Sequence, residues 1–68
     1  MTTSDTLAHA RADIHASVAA HDDPHRRRQY ALAARDHAAE VLLAADATPS
    51  ELEHARHYFA DAAGILTA

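Results

Sequence analysis

The sequence predicts an all-α protein, a three-helix antiparallel bundle, on three observations. The stretch from Pro24 to Ala45 has no glycine or further proline and is rich in alanine, the residue with the highest helix propensity. Two short polar breaks divide the chain into three segments, and each break ends in a proline, which suits the first position of a helix. No segment alternates polar and apolar residues as a strand would.

The first helix is expected over about residues 4–20. Thr3 or Ser4 can cap its start, because an N-cap hydroxyl accepts a hydrogen bond from an unpaired amide of the first turn. His9 and Asp13 lie away from its apolar stripe. That stripe recurs at helical spacing and consists of Leu7, Ala10, Ile14 and Val18. The residue before Pro24 disfavours the helical conformation, so the helix ends before this break.

The second helix is expected over about residues 23–46, with Asp23 as N-cap and Pro24 in the first turn. One apolar face comprises Tyr30, Ala34, His37, Val41 and Ala45, and a second stripe roughly opposite comprises Leu32, Ala39 and Leu43. A helix that is apolar on two sides is covered on both, so we expect this helix to lie in the middle of the bundle. On this face His37 is expected to be a hydrogen-bonded core residue.

The third helix is expected over about residues 49–66. Thr48-Pro49-Ser50-Glu51 matches a capping box, in which the threonine hydroxyl and the glutamate carboxylate each bond the other residue's amide. Its apolar face comprises Leu52, Ala55, Phe59, Ala62, Ala63 and Leu66. Because both connections are short, consecutive helices should be antiparallel.

Length and composition predict one small domain, residues 1–68, with a thin core. A chain of this size buries only about 60% of its unfolded surface, and without cysteine no disulfide can stabilise it. The six basic residues are all arginine and lysine is absent, which together with abundant alanine and histidine is typical of a high-GC genome. No signal peptide or membrane-length apolar run is apparent, so a cytoplasmic location is expected.

The apolar residues predict a core and a second, exposed surface. The expected core is Leu7, Ile14, Val18, Tyr30, Val41, Leu52, Phe59 and Leu66. The residues left over, Leu32 and Leu43 on the second helix and Tyr58 and Ile65 on the third, are expected to form a partner-binding patch. The simplest partner is a second copy, because two-fold dimers are the commonest soluble assembly.

Arg26, Arg27 and Arg28 form the only charge run in the chain. Cations in a first helical turn oppose the helix dipole, so an acidic protein partner or a phosphate backbone is one interpretation and a solvated helix start is the other. The net charge of −4 and the lack of an interleaved aromatic residue disfavour nucleic acid.

His54, His57 and Asp61 cluster on one face of the third helix and are candidate ligands for a divalent ion. The alternative is a solvated polar face in a histidine-rich chain. We find no catalytic signature and expect no cofactor. The sequence therefore predicts a non-enzymatic protein-interaction module, with a small nucleic-acid-associated regulator and a metal-binding helical bundle as the alternatives.

Overall fold

The computed structural model describes all 68 residues and consists of three helices. These are α1 (Thr3–Ala19), α2 (Pro24–Leu43) and α3 (Pro49–Thr67). They contain 82% of the residues, no strand is present, and their contacts are those of a three-helix bundle. The predicted all-α, three-helix fold is therefore confirmed.

The starts of α2 and α3 follow their predicted capping residues. The Asp23 carboxylate accepts a hydrogen bond from the Arg26 amide at 3.1 Å, with Pro24 as the first helical residue. In α3 the Thr48 hydroxyl accepts from the Glu51 amide at 3.1 Å, and the Glu51 carboxylate accepts from the Thr48 amide at 2.9 Å. The predicted capping box is therefore present.

Two helix ends differ from the predictions. Thr2, rather than Thr3 or Ser4, is the N-cap of α1, because its hydroxyl and the Asp5 carboxylate form a second capping box. Helix α2 ends at Leu43, earlier than expected, and Ala44 is extended with φ −74° and ψ 131°. The chain needs the residues after Leu43 to reverse direction before the cap of α3, and no glycine is present there to end the helix in a left-handed turn.

The core is built mainly from alanine and lies around α2. Seven of the nine buried apolar residues are alanines, and Ile14 and Val41 are the other two. Helix α2 packs against both neighbours, whereas α1 and α3 contact each other least. The Cα atoms extend over 37 × 21 × 14 Å, which describes a flattened bundle with α2 in the middle. The expected central position of α2 is therefore observed.

Several expected core residues lie at the edge of this core. Val18 is 62% exposed and Phe59 is 37% exposed, so their assignment to the core was wrong. Leu7, Tyr30, Leu52 and Leu66 are only half-buried. The physical reason is that the helices approach along their alanines and other small residues, which leaves the larger side chains on either side of each contact line.

Two polar side chains of α1, Ser17 and Asp13, form hydrogen bonds to α2, although Asp13 was expected to lie away from the apolar stripe of α1. The buried Ser17 hydroxyl donates a hydrogen bond to the Arg27 carbonyl at 2.8 Å. His37 Nδ1 lies 2.7 Å from Asp13 Oδ2, and both side chains are half-buried. His37 is therefore the hydrogen-bonded residue that was expected, while Asp13 belongs to the α1–α2 contact. No buried side-chain polar atom lacks a partner.

The two capping carboxylates have pKa values below their ordinary range. The pKa of Asp5 is lowered mainly by the hydrogen bond from the Thr2 amide. The pKa of Glu51 is lowered mainly by the Thr48 amide, and next by the Ser4 hydroxyl, which donates to Glu51 Oε2 at 2.9 Å. Ionised Glu51 therefore both caps α3 and connects it to α1.

Replacing the cap of α3 should weaken the fold measurably. We expect Thr48→Ala to lower the free energy of unfolding by about 1 kcal/mol, because the Glu51 amide loses its acceptor. Urea denaturation followed by circular dichroism measures the change. The matched control is Thr67→Ala, whose exposed hydroxyl bonds only the last turn of α3, and we expect a change within about 0.5 kcal/mol there. Equal effects of the two substitutions would contradict this account of the cap.

The lowered pKa of Glu51 predicts how stability depends on pH. A carboxyl whose pKa is lowered by folding contributes stability above its ordinary pKa, here 4.5, and loses it as the pH falls through the lower folded-state value. The difference in unfolding free energy between the wild type and Glu51→Gln should therefore be constant near neutral pH and shrink below about pH 4.5. Urea denaturation across this range measures it. A difference that grows with acid would contradict the assignment.

Candidate functional site

A groove that is open to solvent lies between α1 and α3, and we call it the α1/α3 groove. It exists because these two helices both pack on α2 and contact each other least. The half near the helix starts has a volume of about 500 Å³ and is lined by residues that include Leu7, Arg11, His15, His54 and Tyr58. The other half has a volume of about 450 Å³ and is lined by residues that include Ile14, Val18, Asp61 and Ile65.

The floor and one end of the groove are well defined. Ile14 is buried in a small cluster with Ala34 and Ala62, and Tyr58 and Ile65 pack against this cluster. At the end of the groove the hydrogen bond from Ser4 to Glu51 joins α1 to α3 across a separation of 47 residues. A second hydrogen bond, from the Thr3 hydroxyl to Asp46 at 2.6 Å, attaches α1 to the connection before α3.

The groove has a different charge in its two halves. The half near the helix starts is lined by Arg11 and two histidines, with no acidic side chain among the lining residues. The half near the helix ends is lined by Asp61 and otherwise by apolar or small residues. The groove can therefore contact an apolar surface along its length, with a cation in one half and a carboxylate in the other.

The structure divides the four predicted partner-binding residues between two places. Tyr58 and Ile65 pack against the core cluster in the α1/α3 groove, so their expected position on a face shared with α2 was wrong. Leu32 is half-buried, and Leu43 is 86% exposed at the last residue of α2. The error has the same cause as in the core, because α3 faces α2 through its alanines.

The three arginines do not form one patch. Successive residues on a helix point about 100° apart, so Arg26, Arg27 and Arg28 face three directions. Arg27 is half-buried, and its guanidinium donates a hydrogen bond to the His21 carbonyl at 3.3 Å. No ion pair joins any of them to Asp22 or Asp23. Arg26 and Arg28 are exposed.

The candidate metal ligands of α3 are exposed and are not gathered into a site. The chain has no group of three or more histidine, aspartate or glutamate side chains placed to hold a metal ion. His54 Nδ1 instead lies 2.8 Å from the Ser50 carbonyl, and its ring stacks at 6.5 Å from that of Tyr58. His54 therefore belongs to the rim of the α1/α3 groove.

Sequence reasoning missed the groove itself and the contribution of α1 to it. Arg11 and His15 were not singled out, although they lie on the same side of α1 as the apolar residues Leu7 and Val18. The available signal was the stripe of small and polar residues Thr6, Ala10 and Ser17, all buried, which marks the contact line of α1 with α2. Because α1 contacts α2 through these residues, the larger apolar side chains of α1 lie to either side of the contact.

Comparison with protein-family models, characterised proteins and solved structures finds no significant match for this chain. None of the three helices combines the length and apolar character needed to cross a membrane.

The cap of α2 offers a test of the arginine run. Arg26 occupies the third helical position, where α1 and α3 carry the acidic residues Asp5 and Glu51. We expect Arg26→Glu to raise the free energy of unfolding by about 0.3–1 kcal/mol, because an anion suits a helix start. The control Arg56→Glu, an exposed change of equal charge within α3, should have less effect. A loss of stability in Arg26→Glu would show that the arginine has a structural contact that the cap does not explain.

Proposed function

We propose that the chain is a non-enzymatic protein-interaction module that binds its partner through the α1/α3 groove. One observation carries the proposal: the large apolar side chains lie at the edges of an alanine core rather than inside it. The only fully buried side chains larger than alanine are Val41 and Ser17. Much apolar surface therefore stays available for burial against another protein.

The groove suits a protein surface better than a small molecule. Its two halves are open to solvent and follow one another along α1 and α3, and their apolar groups are spread over several helical turns. A small-molecule site is usually an enclosed cavity with a few convergent polar groups. An elongated apolar groove between two helices is instead a form that packs against helices of a partner protein.

The nucleic-acid alternative has less support. It depended on Arg26, Arg27 and Arg28 acting together, but their directions differ and Arg27 bonds the chain's own backbone. The net charge of −4 opposes a phosphate backbone as well. A steep fall in binding with salt concentration would favour this alternative, whereas an apolar interface depends little on salt.

Photo-crosslinking in the source cell tests the protein-interaction proposal. A benzophenone amino acid replaces Val18, which is 62% exposed and lines the groove, or Leu43, which is 86% exposed and lies outside it. Both sites tolerate a large side chain because both face solvent. We expect protein adducts from position 18 that are much weaker or missing from position 43, as detected by gel shift and mass spectrometry.

Two results would contradict the proposal in different ways. Adducts from position 43 alone would move the interface to the face of α2 that carries Leu32 and Leu43. An absence of protein adducts from both positions, in cells where the chain is expressed and folded, would overturn the interaction function.

A further inference from the structure

We infer that the occupant of the α1/α3 groove is a second copy of this chain, packed groove to groove about a two-fold axis that lies across the groove. This inference rests on the proposed function and names its partner. It is carried by the distribution of charged and apolar residues along the groove.

Residues of α1 and α3 can be matched by their level along the groove. The helices are parallel to each other, because each is antiparallel to α2, and the bond between Ser4 and Glu51 sets an offset of 47 residues. The same offset places Arg11 level with Tyr58 and Val18 level with Ile65. It also places Ile14 level with Asp61, which agrees with the packing of Ile14 beside Ala62.

A two-fold axis across the groove reverses these levels in the second copy. If it passes midway between the levels of Arg11 and Asp61, then Arg11 of one copy is level with Asp61 of the other. The same operation places Leu7 opposite the other copy's Val18, and His54 level with its Ile65. One axis position therefore brings opposite charges together and covers the exposed Val18 with an apolar side chain.

The geometry also fits the chemistry of the Arg11 side chain. Across the interface α1 lies opposite the other copy's α1, and the two helices run antiparallel. The aliphatic part of the Arg11 side chain therefore lies over the other copy's Ile14. The guanidinium can then reach across the groove to the carboxylate of Asp61, which lies level with Ile14. In the other two-fold arrangement the axis runs along the groove, and each level of one copy then lies opposite the same level of the other copy. It would leave Arg11 over Tyr58 and give no opposite-charge contact.

A stable dimer of this kind must bury the flanking faces of α1 and α3 as well as the groove between them. A standard interface buries about 800 Å² on each partner, which is roughly a fifth of the 4363 Å² of accessible surface of this chain. The groove extends over the length that α1 and α3 share, and it contains most of the apolar side chains at the edge of α1.

Sedimentation equilibrium with charge-reversal variants tests the inference. Arg11→Glu or Asp61→Arg alone places like charges at the same level twice in each dimer, because the symmetry repeats the contact. We expect each to weaken the dimer by about tenfold, since the cost of each contact is within the range for exposed pairs. The double variant restores both pairs and should dimerise within about threefold of the wild type. Arg56→Glu, which makes the same change of charge as Arg11→Glu but outside the groove, should leave dimerisation unchanged.

Each outcome decides the inference. Restoration in the double variant supports it, provided that circular dichroism shows all variants to be folded. A wild type that stays monomeric up to about millimolar concentration overturns it, as does a dimer that neither single reversal weakens or that the double reversal does not restore. If the chain is monomeric but position 18 still crosslinks to other proteins, the occupant of the groove is not a second copy. The proposed interaction function would remain supported in that case.

Discussion

The close approach of α1 and α3 to α2 through small side chains is the constraint on which the rest of the structure depends. Alanine buries little apolar area, so each contact contributes little to stability, but it allows the helices to pack tightly. Hydrogen bonds between the helices supplement this thin core. The buried Ser17 hydroxyl and the half-buried pair of Asp13 and His37 hold α1 on α2, while Ser4 and Glu51 join α1 to α3.

The same constraint determines which apolar surface stays open to solvent. Because the contact lines run through alanine and serine, the larger apolar residues stand beside them, and on α1 and α3 many of these residues line the groove. Ile14 closes the floor of the groove, while Val18 remains largely exposed. A chain of this size gains little stability from its own core, and burial of this surface against another protein is a direct way to increase it.

Much of the fold could be predicted from local signals, because caps and prolines act within a few residues of one another. The starts of α2 and α3 were predicted correctly, from Asp23 and Pro24 for α2 and from the capping box of Thr48 and Glu51 for α3. Which side of each helix packs against its neighbours could not be predicted in the same way, since it depends on how closely two helices approach. Ranking residues by apolar size placed Val18 and Phe59 in the core, whereas close packing selected the alanines. For that reason the groove was missed, although Tyr58 and Ile65 had been identified as residues outside the main core.

Intermolecular nuclear Overhauser effects between methyl groups test the central claim most directly. In an equimolar mixture of isotope-labelled and unlabelled chains, filtered spectra report only contacts between copies. The account predicts effects between the methyl groups of Leu7 in one copy and Val18 in the other. Within one chain these residues are eleven positions apart on α1, about 16 Å along the helix, which is too far for such an effect. Intermolecular effects confined to Leu32 and Leu43, or none at concentrations up to about millimolar, would contradict the account.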